Sequence, residues 1–438
     1  MVLTRSAIEY TLGCIADIAF PQKECRVELG DVPSLVVDSE ITIKFMRIDN
    51  ANIELLYSGS ASYSNVKSFD DKVMVNVFSL ADAASPFSVE GKVVHVNFDM
   101  LTISFVLLSR YEETLTDRRD KYGRYSYTDS LSFKYNFIDI PIVDEYAMLL
   151  RKFVQESFPN FMVFCRTPKF IPTHDIDFLF RFPSFPKTVK TVAGDLFKRK
   201  SLQMSCKSFS AYMKSLHNFR YDPYVSAVYE LLKVSIENKL ESKFYFKSLV
   251  SKVFDSTYNI LSPKSCECIK ELRSQGVTVG LHGGLYSYSD KVAFTMEKSR
   301  LEAVCGREVA SVRQHFLCFD AYKTPKVWQE CGIRSDSTLG FPEREGFRCG
   351  TCHPYPLYDI ENDCALEVVE QPLIVMDTTL FQYRELAEDE AFGNICKLYD
   401  RCLSVEGDFV MLWHNTTMFG ELKSWYENVY LRFLKTLV

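Results

Sequence analysis

From about residue 163 onward, short apolar runs alternate with longer amphipathic stretches. Residues 277–282, 309–315 and 409–414 each read as a strand that ends in a histidine, and the first and last of these are apolar runs. Residues 262–275, 291–304 and 388–402 have helical spacing between such runs, and a short helix is predicted over 324–330 before a strand at 333–336. Phe244-Tyr245-Phe246 reads as a strand leading into a loop. Residues 366–375 are strand-like, although Pro372 weakens the second half, and residues 421–437 predict a closing helix. Alternating strand and helix units imply a parallel sheet, open or closed into a barrel. No internal repeat or low-complexity tract is present.

The first part of the chain has a different rhythm. Residues 34–38, 40–45 and 92–98 have strand composition. Residues 100–108 are apolar throughout, so helix and strand both stay open. The polar stretch 114–129 reads as a surface loop, and 144–158 as a helix bridging to the second part. At 438 residues the chain exceeds the usual size of one domain. We therefore expect an N-terminal α/β domain over 1–155 and a second domain over 163–438. A composition that is 47% hydrophobic and 14% aromatic implies large packed cores and argues against disorder.

The net charge is −6 and the isoelectric point about 5.8. No basic run stands out, which argues against nucleic acid as a partner. The first residues lack the apolar stretch of a signal peptide, and no segment approaches the ~20 apolar residues that span a bilayer. The fourteen cysteines are scattered, and without an export signal they read as reduced, mostly buried thiols. The expectation is a soluble cytoplasmic protein of undetermined oligomeric state. Cys349-Gly350-Thr351-Cys352-His353 matches a haem-attachment string, but structural thiols are the better reading.

Candidate chemistry centres on Thr173-His174-Asp175-Ile176-Asp177. A strand over 169–172 leads into it, and side chains alternate with period 2, so the two aspartates point to one side. Such a pair can bind a metal with one carboxylate and activate water with the other. Five of the seven histidines, His174, His282, His315, His353 and His414, lie at predicted strand ends or in nearby loops. Parallel strands gather the residues at their C-terminal ends at one mouth. Carboxylates and imidazoles there suit a divalent, zinc-type ion with an open position for water.

This set, over roughly residues 165–438, resembles the polysaccharide deacetylase family, the chitooligosaccharide-deacetylase-like carbohydrate esterases. The matching motifs are Asp175-Ile176-Asp177, His282-Gly283-Gly284-Leu285-Tyr286, Arg313-Gln314-His315 and Leu412-Trp413-His414. The whole chain also resembles a bacterial subgroup with an extra N-terminal domain, through Leu108-Ser109-Arg110-Tyr111-Glu112-Glu113, Gly123-Arg124-Tyr125 and Gly346-Phe347-Arg348-Cys349-Gly350-Thr351. The resemblance implies a distorted, incomplete (β/α) barrel with a smaller N-terminal α/β domain of unknown role. It implies metal-dependent removal of an N-acetyl or O-acetyl group from a sugar or glycan. Asp175 would be the general base, Asp177 and His282 metal ligands, Arg313 the partner of Asp175, and His414 the general acid.

One position departs from the family. Tyr286 stands where a second histidine ligand is expected. His315 is then either the replacement ligand or a residue just outside the ligand set. Tyr286, Arg348 and Trp413 are candidate substrate contacts, each with a packing or ion-pair role as the alternative. The competing functional readings are a non-catalytic carbohydrate-binding relic and a metal-dependent hydrolase of another amide or ester.

Overall fold

The strand-rich stretch near the N-terminus pairs into a sheet whose register follows its burial pattern. In the computed structural model, which describes residues 3–46, 66–69, 72–75, 85–249 and 258–437, five strands make this sheet. They are β1 (Cys25–Leu29), β2 (Pro33–Val37), β3 (Ile41–Phe45), β6 (Phe87–Glu90) and β7 (Val93–Val96), in the order β1-β2-β3-β7-β6. In β3, Ile41, Ile43 and Phe45 are buried while Thr42 and Lys44 are not, the alternation of a one-sided sheet. Strands β4 (Val66–Phe69) and β5 (Lys72–Val75) pair separately.

Residues Met100–Leu108 form a helix in which every side chain is buried, which is why periodicity could not separate helix from strand. Asp99 caps it by accepting from the Thr102 N–H at 2.9 Å. A further helix, Arg5–Ala19, lies in a stretch expected to be mainly strands. It packs on Met100–Leu108 and on Ile142–Ser157.

The second sheet has nine strands: β8 (Phe170–Ile176), β9 (Lys243–Phe246), β10 (Thr278–Gly283), β11 (Ser311–Gln314), β12 (Ser335–Asp336), β13 (Tyr355–Asp359), β14 (Cys364–Glu370), β15 (Val375–Met376) and β16 (Phe409–Leu412). Their order is β13-β14-β12-β11-β10-β9-β8-β16-β15. Every neighbouring pair is parallel except β13–β14 at the edge. No pairing joins β15 to β13 among the described residues. The mixed α/β class is therefore as expected, with helices Pro263–Ser274, Lys291–Cys305, Thr324–Glu330 and Glu388–Ser404 close to their predicted places.

Three details differ. The strand expected over 169–172 continues through the aspartate motif to Ile176, and all seven of its residues are buried. The strand expected over 366–375 is two strands, β14 and β15, broken around Pro372, which has no N–H to donate. The closing helix is interrupted by a wide turn at Tyr426–Tyr430. Helices Phe185–Phe197, Leu202–His217 and Pro223–Glu237, between β8 and β9, were not anticipated.

One apolar core runs through both sheets. Tyr10 Oη donates to the Pro356 carbonyl at 2.9 Å, and Arg151 pairs with Glu406 at 2.7 Å. The fourteen cysteines are free thiols. Among the described residues no helix is long and apolar enough to cross a membrane.

Candidate active site

Asp175 lies at the end of β8 and Asp177 just beyond it, with β9 and β16 on either side. Alternation along the strand puts both carboxylates toward His282: its Nε2 is 3.8 Å from Asp175 and 3.3 Å from Asp177. His174 faces the other way. It is fully buried, its Nδ1 lies 2.9 Å from the Trp413 carbonyl, and burial lowers its pKa to about 4.

His282 sits on β10 opposite Arg313 of β11. Its Nδ1 lies 2.9 Å from the Arg313 carbonyl, which accepts the ring proton there and leaves Nε2 facing the aspartates. Two glycines make room for this strand. A Cβ at Gly280 would stand 2.6 Å from the Tyr245 ring, and one at Gly283 would overlap the Gln314 side chain.

His315 follows β11, and its Nε2 is 3.3 Å from Asp177 Oδ1. Phe316 and Leu317 then adopt φ of +59° and +57°, a strained left-handed turn for residues with side chains. The N-terminal part of the chain braces that turn. Tyr122 stacks on Phe316 at 4.6 Å, and Arg124 donates to the Phe316 carbonyl at 3.3 Å.

One ligand atom each from Asp177, His282 and His315 lie within 4.8 Å of one another. The two Asp177–histidine separations of 3.3 Å match the ~3.4 Å edge of a tetrahedron with metal–ligand bonds of ~2.0–2.1 Å. The oxygen and nitrogen donors and this spacing fit a zinc-type ion. Burial works against ionisation of Asp177, but the charges of His315 and Lys247 and a hydrogen bond from His282 hold its carboxyl well below the usual range.

His414 follows β16. Its Nε2 is 3.7 Å from Asp177, while Nδ1 lies 2.6 Å from Asp377 Oδ1 and its backbone N–H donates to Asp377 Oδ2 at 2.8 Å. Burial disfavours the imidazolium, yet the Asp377 charge and hydrogen bond, with Asp177 and Asp175, raise its pKa to about 9. Arg313 approaches Asp175 only to 3.9 Å. Its firm contacts are Thr173 Oγ1 at 3.0 Å and Ser337 Oγ at 2.8 Å.

The structure thus gathers Asp175, Asp177, His282, His315, Arg313 and His414. Arg348 is engaged elsewhere: it is buried and donates to both oxygens of Glu113 at 2.8 and 3.0 Å. Trp413 has no exposed surface and packs on Tyr430 at 5.1 Å. Tyr286 is 69% exposed. His353 is bound to the Val405 carbonyl at 2.8 Å.

Two site residues escaped the sequence analysis. Asp377 follows the two-residue strand β15, hidden in an apolar run. Lys247 follows β9, with Nζ 2.7 Å from His315 Nδ1 and 3.6 Å from Asp177. Both obey the strand-end rule that found the histidines.

A model of a family of unknown function (DUF7033) matches residues 13–159. No curated protein matches the chain. Among solved structures, the chain is similar to a Mycobacterium smegmatis protein assigned as a polysaccharide deacetylase, at 16% identity over 61% of this chain and 84% of that one, with a TM-score of 0.40. It is also similar to Puue allantoinase, at 12% identity over 61% and 84%, with a TM-score of 0.36. A mutant CE4 family pseudoenzyme with restored enzymatic activity shares 10% identity over 63% and 66%, with a TM-score of 0.29.

Proposed function

We propose that the protein is a metal-dependent hydrolase that removes an acetyl group from an N-acetylated or O-acetylated sugar or glycan. The observation that carries this reading is the Asp177, His282 and His315 ligand set lying between a second carboxylate, Asp175, and the His414–Asp377 pair. A zinc-type ion held by those three residues would polarise the acetyl carbonyl and acidify a water.

The remaining chemistry belongs to the chain's own groups. Asp175, 2% exposed, takes the proton of the attacking water. Arg313, at 3.9 Å, is the nearest permanent cation to the Asp175 carboxylate among the described residues and helps position it. His414 enters the reaction as an imidazolium, because Asp377 holds it protonated, and gives its proton to the leaving amine or alcohol. Burial of the cluster strengthens these charge interactions relative to water. Sugar specificity is assigned through the motif resemblance, and of the three candidate substrate contacts only the exposed Tyr286 is kept, because Trp413 is buried and Arg348 is engaged by Glu113.

A screen for acetate released from acetylated oligosaccharides tests the proposal. Release that disappears in Asp175→Asn supports it. Hydrolysis only of non-carbohydrate amides or esters would move the reading to another hydrolase.

A second reading rests on Lys247. Its ammonium stands against two members of the ligand set, where it supplies positive charge without any metal. A carbohydrate-binding relic of the same fold would keep that arrangement. It would bind glycan, bind no metal and release no acetate.

A further inference from the structure

Helices Phe185–Phe197 and Leu202–His217 form a hairpin that is built inside out. Surface helices ordinarily bury an apolar stripe and expose polar residues. Here the only buried residues of the two helices are Thr188, Asp195, Ser205 and Ser208. They form a polar seam. Ser205 Oγ donates to the Val192 carbonyl at 3.1 Å and Ser208 Oγ to Asp195 at 2.5 Å. Arg181 reaches the same carboxylate at 3.0 Å, and Arg199 also pairs with it.

Many of the large apolar residues face outward instead. Leu202, Phe209, Met213 and Leu216 follow one another at intervals of seven, four and three, which places them on one helical stripe. They are 68%, 56%, 45% and 60% exposed. Phe185 and Phe197, at the two ends of the other helix, are 67% and 77% exposed. A run of exposed apolar side chains of this kind marks an interaction surface.

Charge identifies the occupant. Residues 185–217 hold seven Lys and Arg and one acid, Asp195, in a chain whose net charge is −6. The lysines are all exposed. Three of the basic residues, Lys198, Arg199 and Lys200, are consecutive at the turn between the two helices, and the others are spaced along them. Two copies of this face would repel one another. A surface that combines aliphatic and phenyl groups with negative charge suits both halves of the hairpin, and a bilayer rich in anionic lipid is such a surface.

We infer that this hairpin docks the protein peripherally on an anionic phospholipid bilayer, with the phenyl and leucyl side chains entering the headgroup boundary and the lysines meeting lipid phosphates. The hairpin leaves β8 directly after Asp177. The inference does not rest on the catalytic reading, since none of these side chains belongs to the Asp177 cluster.

Flotation of the full chain with vesicles tests it, using phosphatidylcholine alone and phosphatidylcholine with about one-third phosphatidylglycerol, at about 0.05 M and about 0.5 M salt. The wild-type chain should float only with anionic vesicles, and less at high salt. Lys198→Glu with Lys200→Glu, at positions between the exposed Phe197 and Leu202, should weaken binding at least about five-fold per position, the equivalent of ~1 kcal/mol per basic residue. Leu202→Ser with Phe209→Ser should also weaken it by about ten-fold or more. Both pairs are exposed, so the melting temperature should stay near that of the wild type, which verifies the fold. Absence of binding to anionic vesicles at low salt would overturn the inference. Equal binding by both variants would overturn it as well. So would a dimer seen by light scattering that Leu202→Ser with Phe209→Ser dissociates, because the face would then belong to a second copy.

Discussion

Replacing Asp377 by asparagine removes the charge that holds His414 as an imidazolium. In the wild-type chain His414 is raised from 6.5 to about 9 against the opposing effect of burial, a differential interaction of about 3 kcal/mol. His174 shows what burial does to a ring with no carboxylate bonded to it, falling to about 4. The asparagine keeps an oxygen for the His414 backbone N–H, now 2.8 Å from Asp377, so the loop retains its anchor. His414 in Asp377→Asn should therefore titrate at about 6.5 or below. With a value of about 6.5, its protonated fraction falls about thirty-fold at pH 8 and less than about two-fold at pH 6, and a lower value makes both falls larger. Nitrogen-15 NMR of the histidine rings in metal-free protein, with His414 assigned through His414→Gln, reads the value directly. The stability consequence has a definite sign. A raised pKa stabilises the folded state fully below about pH 6.5, and the contribution is lost as pH rises through about 9. The melting-temperature gap between wild type and variant should close over that window. A wild-type His414 that titrates near 6.5, or a variant that still titrates near 9, would refute the reasoning.

Other substitutions separate the remaining roles. Asp175→Asn should lower acetate release about 100-fold or more while metal content stays near that of the wild type; parallel loss of metal would make it a ligand instead. Tyr122→Ala removes the ring stacked on Phe316 and should weaken metal affinity about ten-fold by loosening the turn that carries His315, as read by competition with a chelator. Arg348→Met leaves Glu113 buried with only Arg110 as its charge partner and should cost about 3 kcal/mol in denaturant unfolding. An unchanged midpoint would return Arg348 to the list of substrate contacts.

The cluster was legible because each of its members ends or follows a strand of one parallel sheet. His282 and His414 close apolar runs, His315 follows a predicted strand, and the aspartate pair lies at the end of β8, so topology brings them to one edge. Asp377 obeys the same rule but follows a strand of two residues inside an apolar run, too short to leave a period. Lys247 directly follows an aromatic strand and belongs to no motif, so nothing in the sequence marks it. Arg348 attracted a substrate role because its buried partner, Glu113, is 235 residues away, and such pairings leave no local trace. The hairpin helices were missed for a different reason. Pattern reading assumes that apolar stripes face the core, and there the polar seam faces inward.

Elemental analysis of the purified wild-type chain beside His282→Ala and His315→Ala tests the central claim most directly. The account predicts about one zinc-type ion per chain, lost in both variants. No bound metal in the wild type, even after reconstitution, would contradict it and leave Lys247 as the cation of a binding site.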